Sequence, residues 1–596
     1  MPRNAVRALL AGLLCLSLAA LLTACGDSGN DNGGDSRGAD ATAKADDGAS
    51  GRRGGVLRIV SEEDVQQPLE SGAAYSSGAL NVLAGTVRPL YRYDPDDPTD
   101  AVPDLAAGPP QISPDGRTLT VRIRSGVRYS PPVNREVTSR DVKYAVERGF
   151  NPAVGNGYAG TWYGAVVGAD RASGGPLAGI TTPDDQTIVF RLTRPTAGLL
   201  AQAMILPLSA PVPPEYARRY DDKREGQVSN YAAHQVATGP YMFDADADGR
   251  VQGVGIVPGR RLVLKRNPNW DPATDDRPAY LDGIEWSIGN DPNVAGRQVL
   301  EGEDMTLGDT PTAAILKRAV QRYPDQIFFS PGAGSRYAAL NTQIPPFDDA
   351  NLRKAVAAQL DRDQMRLVRG GEVLGPIATH FLYPGVAGFE EAGGLRGPGV
   401  DFLASPAGNP AVARRYMAAA GYPDGRYTGD ETVSVVGDSG DPSDKDAQLV
   451  DEALRELGFR TKLQLVDSGT MYERFCTVPK ARVNVCPNLG WQRDFADPQT
   501  VLDGAFNGAA IIPNGNSNWP QLNDPRINAA MARAELLVDK QERADAWAKI
   551  DEMITKTGAA IPWLWDSQPI VSSEDVRCAN QLWNQGHCDF AYSSLR

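Results

Sequence analysis

Several groupings in this sequence have the residue types that chemistry requires. Gly437-Asp438-Ser439-Gly440 sets a serine between small residues, as around the nucleophile of chymotrypsin-like hydrolases. The same four letters recur at Gly26-Asp27-Ser28-Gly29, in a stretch that cannot build a site. An active serine also needs a His and an Asp placed by a double β-barrel, which the pattern of this chain contradicts. The tetrapeptide is expected to turn the chain, no catalytic residue is assigned, and a secreted hydrolase stays a remote alternative. Asp244-Ala245-Asp246-Ala247-Asp248-Gly249 fits the first half of a calcium loop, but its twelfth position is Gly255, where a bidentate Glu belongs. A surface turn between two strands is expected there. His234, His380 and His587 are scattered without ligand spacing, so neither metal nor cofactor is expected. Cys476, Cys486, Cys578 and Cys588 form two pairs ten positions apart. Four thiols allow three connectivities, and two local bridges, 476–486 and 578–588, are the economical choice in an exported chain.

Export is read at the N-terminus. Arg3 and Arg7 precede the uncharged apolar run Ala8 to Ala24, with no stop-transfer charge after it. The run ends in Leu22-Thr23-Ala24-Cys25-Gly26, which resembles the lipobox of bacterial lipoproteins. That resemblance implies a signal peptide over 1–24 and lipidation at Cys25. The following Gly-, Asp-, Ser- and Asn-rich segment, 25–53, has no aliphatic side chain larger than Ala. It cannot bury a core and reads as a flexible tether spanning roughly 30 Å.

The body must be more than one lobe, since 596 residues exceed the size at which a single core stops growing. Its 41% apolar and 22% charged residues are ordinary globular values. A formal charge of −14, from 60 basic and 74 acidic residues, argues against nucleic acid as the main partner. With one long apolar run, at the N-terminus, the sequence is no multi-span transporter.

The elements that would position a site alternate between strand and helix. Val56 to Val60 reads as a first strand. Leu119, Val121 and Ile123 alternate with polar residues, as do Ile188, Phe190 and Leu192, then Ile284, Trp286 and Ile288. Asp349 can cap a helix carrying Leu352, Ala355, Val356 and Leu360 on one face, and Asn409-Pro410 begins another that stops at Gly421. Val433 to Val436, a helix through Leu449, Ala453 and Leu457, and Thr461 to Val466 form a strand–helix–strand unit.

A run of motifs then carries a family resemblance. Pro103-Asp104-Leu105-Ala106, Ile112-Ser113-Pro114-Asp115-Gly116-Arg117-Thr118-Leu119-Thr120-Val121, and Ser139-Arg140-Asp141-Val142 come first. Thr238-Gly239-Pro240-Tyr241, Leu264-Lys265-Arg266-Asn267-Pro268-Asn269-Trp270 and Pro345-Pro346-Phe347-Asp348-Asp349 follow. Ala420-Gly421-Tyr422-Pro423-Asp424-Gly425 and Gly490-Trp491-Gln492-Arg493-Asp494-Phe495-Ala496-Asp497-Pro498 complete the order. Over about residues 54 to 570 the sequence resembles the family 5 extracellular solute-binding proteins, the peptide/nickel-type receptors of ABC importers. It departs from them at the longer, Pro-rich Ser130 to Glu136.

The resemblance implies an α/β, two-lobed periplasmic-binding-protein-like fold (class II, cluster C type), with an inserted third domain and a hinge between lobes. Lobe I is expected over 54–95, 195–292 and 566–596, the inserted domain over 96–194, and lobe III over 293–565. Function in that family is capture of a solute by hinge closure and delivery to membrane permease subunits. The expected partners are a peptide, the permease and the membrane, the protein being a monomer; an oligosaccharide or metal chelate is the alternative solute. In peptide-binding members the Asp of W-x-x-D-[YF]-x-[DE]-P binds the peptide's α-ammonium, which assigns Asp494. Trp491 would offer a flat apolar wall, with Gly490 and Arg493 beside it. Lys480 and Arg482 are expected to answer a peptide carboxylate, and Tyr75, Trp162, Tyr163 and Arg336 are further cleft candidates.

Overall fold

The computed structural model describes residues 51–596 except 66–67, 95–96, 172–173, 222–227, 514 and 579–587. The signal peptide, Cys25, most of the tether, Gly26 to Gly29 and His587 lie outside the described residues. Among the described residues no helix is long and apolar enough to cross a membrane.

Alternation decides the smallest of the three larger sheets. Thr118–Arg122 pairs antiparallel with Thr187–Arg191, setting Leu119 opposite Phe190 and Val121 opposite Ile188. All four side chains are fully buried while the intervening Thr120 and Val189 are half-buried and the terminal Arg122 and Arg191 are exposed, as the two-residue period requires. Gln111–Ile112 and Ile180–Asp184 complete this sheet. Helix Ser139–Gly149 packs on it, started by a capping box between Thr138 and Asp141.

Val56–Val60 lies inside the second sheet, parallel to both Gly283–Ser287 and Met305–Leu307. Arg261–Arg266 and Tyr241–Phe243 extend it antiparallel. The expected division gave 293–565 to the other lobe, yet Met305–Leu307 bonds into this same second sheet. The cause is a crossover: Asp291 accepts from the N–H groups of Asn293 and Val294, and the helix Pro292–Glu301 returns the chain to the sheet's edge.

The third sheet runs in the order Arg460–Val466, Thr432–Asp438, Val485–Trp491, Ile327–Leu340, Ala560–Val571. Its first two strands and the helix Ser443–Glu456 form the anticipated strand–helix–strand unit, parallel from Thr432 opposite Arg460 to Asp438 opposite Val466. Asp349 and Asn409 cap the helices Ala350–Gln359 and Pro410–Ala419 through backbone N–H groups. Ile327–Leu340 and Ala560–Val571 are long enough to connect two lobes. They pair antiparallel from Ile327 opposite Val571 to Ala339 opposite Ala560, and Ser572 bridges Thr306 at the edge of the second sheet. Their pairing slips between Ser330 and Gly334, where Gly334 takes φ +132°, a region an L side chain avoids.

Both cysteine pairs are bridged, Cys476 to Cys486 and Cys578 to Cys588, with Cα–Cα separations of 6.2 and 4.9 Å. The remaining chemical motifs have local work. Asp244 pairs with Lys265 at 2.6 Å, and Asp246 accepts from Asp248 and Arg250 N–H to close a turn. Asp438 accepts from Gly440 N–H, leaving Ser439 on an exposed bend. His380 is fully buried between Asp551 at 2.7 Å and the Gly394 carbonyl at 3.0 Å, and His234 stacks on Tyr220.

Candidate functional site

The chain leaves the central strand Val485–Trp491 and turns without regular structure through residues 492–498. This turn borders a cavity of about 590 Å³, the size of a small-ligand pocket. The first lobe contributes Glu63, Tyr75 and Trp286 to its lining; the second contributes Arg336, Trp491, Asp494 and Trp519.

Asp494 is the most constrained of these. It is 9% exposed, and both its oxygens accept hydrogen bonds from residues far away in sequence. The Tyr75 hydroxyl donates to Oδ1 at 2.7 Å and Oδ2 at 2.8 Å, and Trp162 Nε1–H donates to Oδ2 at 2.8 Å. Neighbouring rings fix these donors. Tyr75 sits 4.9 Å from Tyr158, and Trp162 meets Phe495 edge-on at 4.9 Å. Phe495 itself is fully buried in the same hydrophobic cluster as Leu119, Val121, Ile188 and Phe190, so the residue after Asp494 anchors the turn. Burial pushes the Asp494 carboxyl up to about 7, against the opposing pull of its two donors. A carboxylate held this way gains most from a cation that replaces lost water.

Several expected site residues do meet here. Tyr75, Arg336, Gly490, Trp491, Arg493 and Asp494 all line the cavity, and Trp162 stands behind Asp494. The wall that closes over Asp494 differs from expectation. Trp491 packs edge-on against Trp519 at 5.6 Å and donates to the Thr500 carbonyl at 2.7 Å, whereas Tyr75 and Trp162 are the rings that touch Asp494. Tyr163 is fully buried in the hydrophobic cluster that also holds Phe495 and is not a lining residue. Lys480 and Arg482 stand exposed at the short turn Pro479–Ala481, outside the lining, because free cations remain hydrated. Trp519, Tyr158 and Asp566 carry no signal in the sequence that points to the cavity. Phe495 alone was signalled, as part of the motif that contains Asp494.

Comparison with known proteins identifies the family and the fold. The family model described as bacterial extracellular solute-binding proteins, family 5 Middle, covers residues 100–512. The chain belongs to that family. Among its relatives is the periplasmic oligopeptide-binding protein OppA of Escherichia coli, 22% identical over 460 residues, covering 75% of this chain and 76% of OppA. A clavulanic acid biosynthesis oligopeptide binding protein 2 superposes with a TM-score of 0.76 at 28% identity, covering 91% of this chain and 96% of that one. The DppA binding protein of Helicobacter pylori, in complex with peptide STSA, superposes with a TM-score of 0.74 at 19% identity, covering 91% and 98%. The two-lobed α/β fold expected from the motifs is therefore the observed one.

Proposed function

We propose that this protein is a lipid-anchored, extracytoplasmic receptor that captures peptide between its lobes and presents it to the permease of an ABC importer. The observation that carries the peptide reading is Asp494. It is a buried carboxylate at a cavity wall, contacted by neutral donors from the opposite lobe and by no Lys or Arg among the described residues. An α-ammonium entering beside it supplies the missing counter-charge, while Tyr75 and Trp162 keep the carboxylate oriented. Oligopeptide- and peptide-binding relatives support this choice of solute, and the apolar run ending at Cys25 supports the anchor. The two crossing strands Ile327–Leu340 and Ala560–Val571, with their slipped pairing, are suited to act as the hinge.

Native mass spectrometry of the protein isolated from its own organism tests this reading. Retained masses that fragment as peptides are expected. A retained oligosaccharide or metal chelate would move the protein to another solute class within the same family.

A further inference from the structure

The two helices that flank the edge strand Met305–Leu307 carry positive charge in a chain that is negative as a whole. Pro292–Glu301 leads into that strand and Ala313–Arg322 leaves it. The helices run the same way: Thr312 donates to Asn293 at 2.8 Å at one end, and Arg318 bonds Glu301 at the other. Gly296 lets them meet closely, since a Cβ there would stand 2.6 Å from Ile315 Cγ1. Along their seam runs a groove of about 320 Å³ whose lining includes Arg297, Lys317, Arg318 and Arg322. Glu301 answers Arg318. Among the described residues no acidic group pairs with Arg297, Lys317 or Arg322, and all three are exposed. The formal charge of the whole chain is −14, so this face is a local reversal of sign.

Its place in the fold says what it faces. Val56–Val60 and Met305–Leu307 are parallel, and the residues just after them, Glu63, Asp64, Gly308 and Asp309, border the ligand cavity. The first residues of both strands therefore lie at the opposite pole. The tether joins the body at that pole, through Gly54 and Gly55 to Val56. Gly283–Ser287 is parallel to Val56–Val60 as well, so the crossover helix Pro292–Glu301 must run back along the sheet, away from the cavity. Ala313–Arg322 runs beside it in the same direction, which brings Arg318 and Arg322 to the pole where the tether enters. Arg52 and Arg53, exposed at the junction, add to the positive charge there. Exposed Glu303 and Asp325, in the segments that follow the two helices, offset only part of it.

We infer that this basic pole rests on the anionic lipid headgroups of the bilayer to which the chain is anchored. The inference rests on the lipid-anchor reading, because a tether of roughly 30 Å keeps the bilayer within reach of this pole. That constant nearness favours a bilayer over a protein partner, which the tether does not hold. Headgroup phosphates supply the counter-charge that Arg297, Lys317 and Arg322 lack. Resting on this face, the protein turns its cavity away from the bilayer and toward arriving solute.

The chain from residue 26 onward keeps every described residue and lacks the lipidated cysteine, so it tests the face independently of the anchor. Sedimentation with vesicles of phosphatidylcholine, with and without phosphatidylglycerol, reads its binding at low and physiological salt. It should bind the anionic vesicles and not the neutral ones, and should release as salt rises. Arg297→Gln/Lys317→Gln/Arg322→Gln should lower the affinity about 100-fold, roughly fivefold for each cation removed. Arg396→Gln/Lys462→Gln/Lys549→Gln, which removes exposed cations from the second lobe, should leave it nearly unchanged. All six side chains are exposed, so both variants should keep the wild-type melting temperature. An equal loss in the two variants would show net charge alone at work and overturn the face. Failure of the wild-type chain to bind anionic vesicles would also overturn it, while the anchor would still stand or fall on Cys25→Ala. Full displacement by free glycerol phosphate at matched phosphate concentration would make the groove a small-anion pocket and overturn the membrane surface.

Discussion

Asp494 is held at the expense of stability. Its folded pKa of about 7 lies above the value of an unfolded Asp, so between about pH 4 and 7 the folded state binds more protons than the unfolded one. Stability from this group is therefore greatest at low pH and falls as pH rises through that window, by an amount on the order of 4 kcal/mol. Asp446 and Asp309, pushed up to about 7 and about 6 by burial, add slopes of the same sign. Asp494→Asn keeps the shape and removes the charge. It should raise the melting temperature of the unliganded protein at pH 7 and flatten, without abolishing, its dependence on pH from 4 to 7. An unchanged profile in calorimetric melts would show that Asp494 ionises without cost. The motif made Asp494 legible in the sequence. Its donors were legible only as cleft candidates, because Tyr75 and Trp162 lie 419 and 332 positions away and nothing local announces the contact. Lys480 and Arg482 show the converse: nearness in sequence to the motif did not bring them to the cavity.

Among elements, local rules served well. The alternation in Thr118–Arg122 and Thr187–Arg191, the caps at Asp349 and Asn409, and both short cysteine loops were readable because each is decided within about a dozen residues. The placement of Met305–Leu307 was not, since a three-residue strand has too little pattern to reveal its partner. The 476–486 bridge ties the turn Met471–Cys476 to the central strand that leads into the Asp494 turn. Closing so short a loop is worth about 2–3 kcal/mol by the chain-entropy model. The double variant Cys476→Ala/Cys486→Ala should lose about that much in denaturant unfolding, with an unchanged m-value. A loss of under 0.5 kcal/mol (roughly the size of a neutral surface change) would mean the bridge constrains little. A deeper tie is Arg148, whose guanidinium contacts Glu70 at 2.6 Å and Asp221 at 2.7 Å, all three buried. Arg148→Ala strands two buried carboxylates and should cost about 3–5 kcal/mol, read by the same unfolding curves.

At the scale of the whole molecule, contacts from residues far apart in sequence meet around one cavity. Ser77 donates to Gln492 at 3.2 Å, Ala496 N–H donates to the Tyr93 hydroxyl at 2.8 Å, and Tyr75 reaches Asp494. The proposed attachment is made elsewhere, at Cys25. Without an acylated cysteine nothing in the reading holds the body at a membrane, so Cys25→Ala should appear in the soluble fraction or as an unprocessed precursor. Normal membrane retention of that variant would refute the anchor. In the proposed function a buried carboxylate, Asp494, receives the ammonium of a peptide. Isothermal calorimetry with the tightest peptide recovered from the protein, free and N-acetylated, measures this directly. The free peptide should lose roughly 30- to several-thousand-fold in affinity on Asp494→Asn, while the acetylated one binds both proteins equally weakly. Equal affinity of wild type and Asp494→Asn for the free peptide would show that the carboxylate does not receive the ammonium.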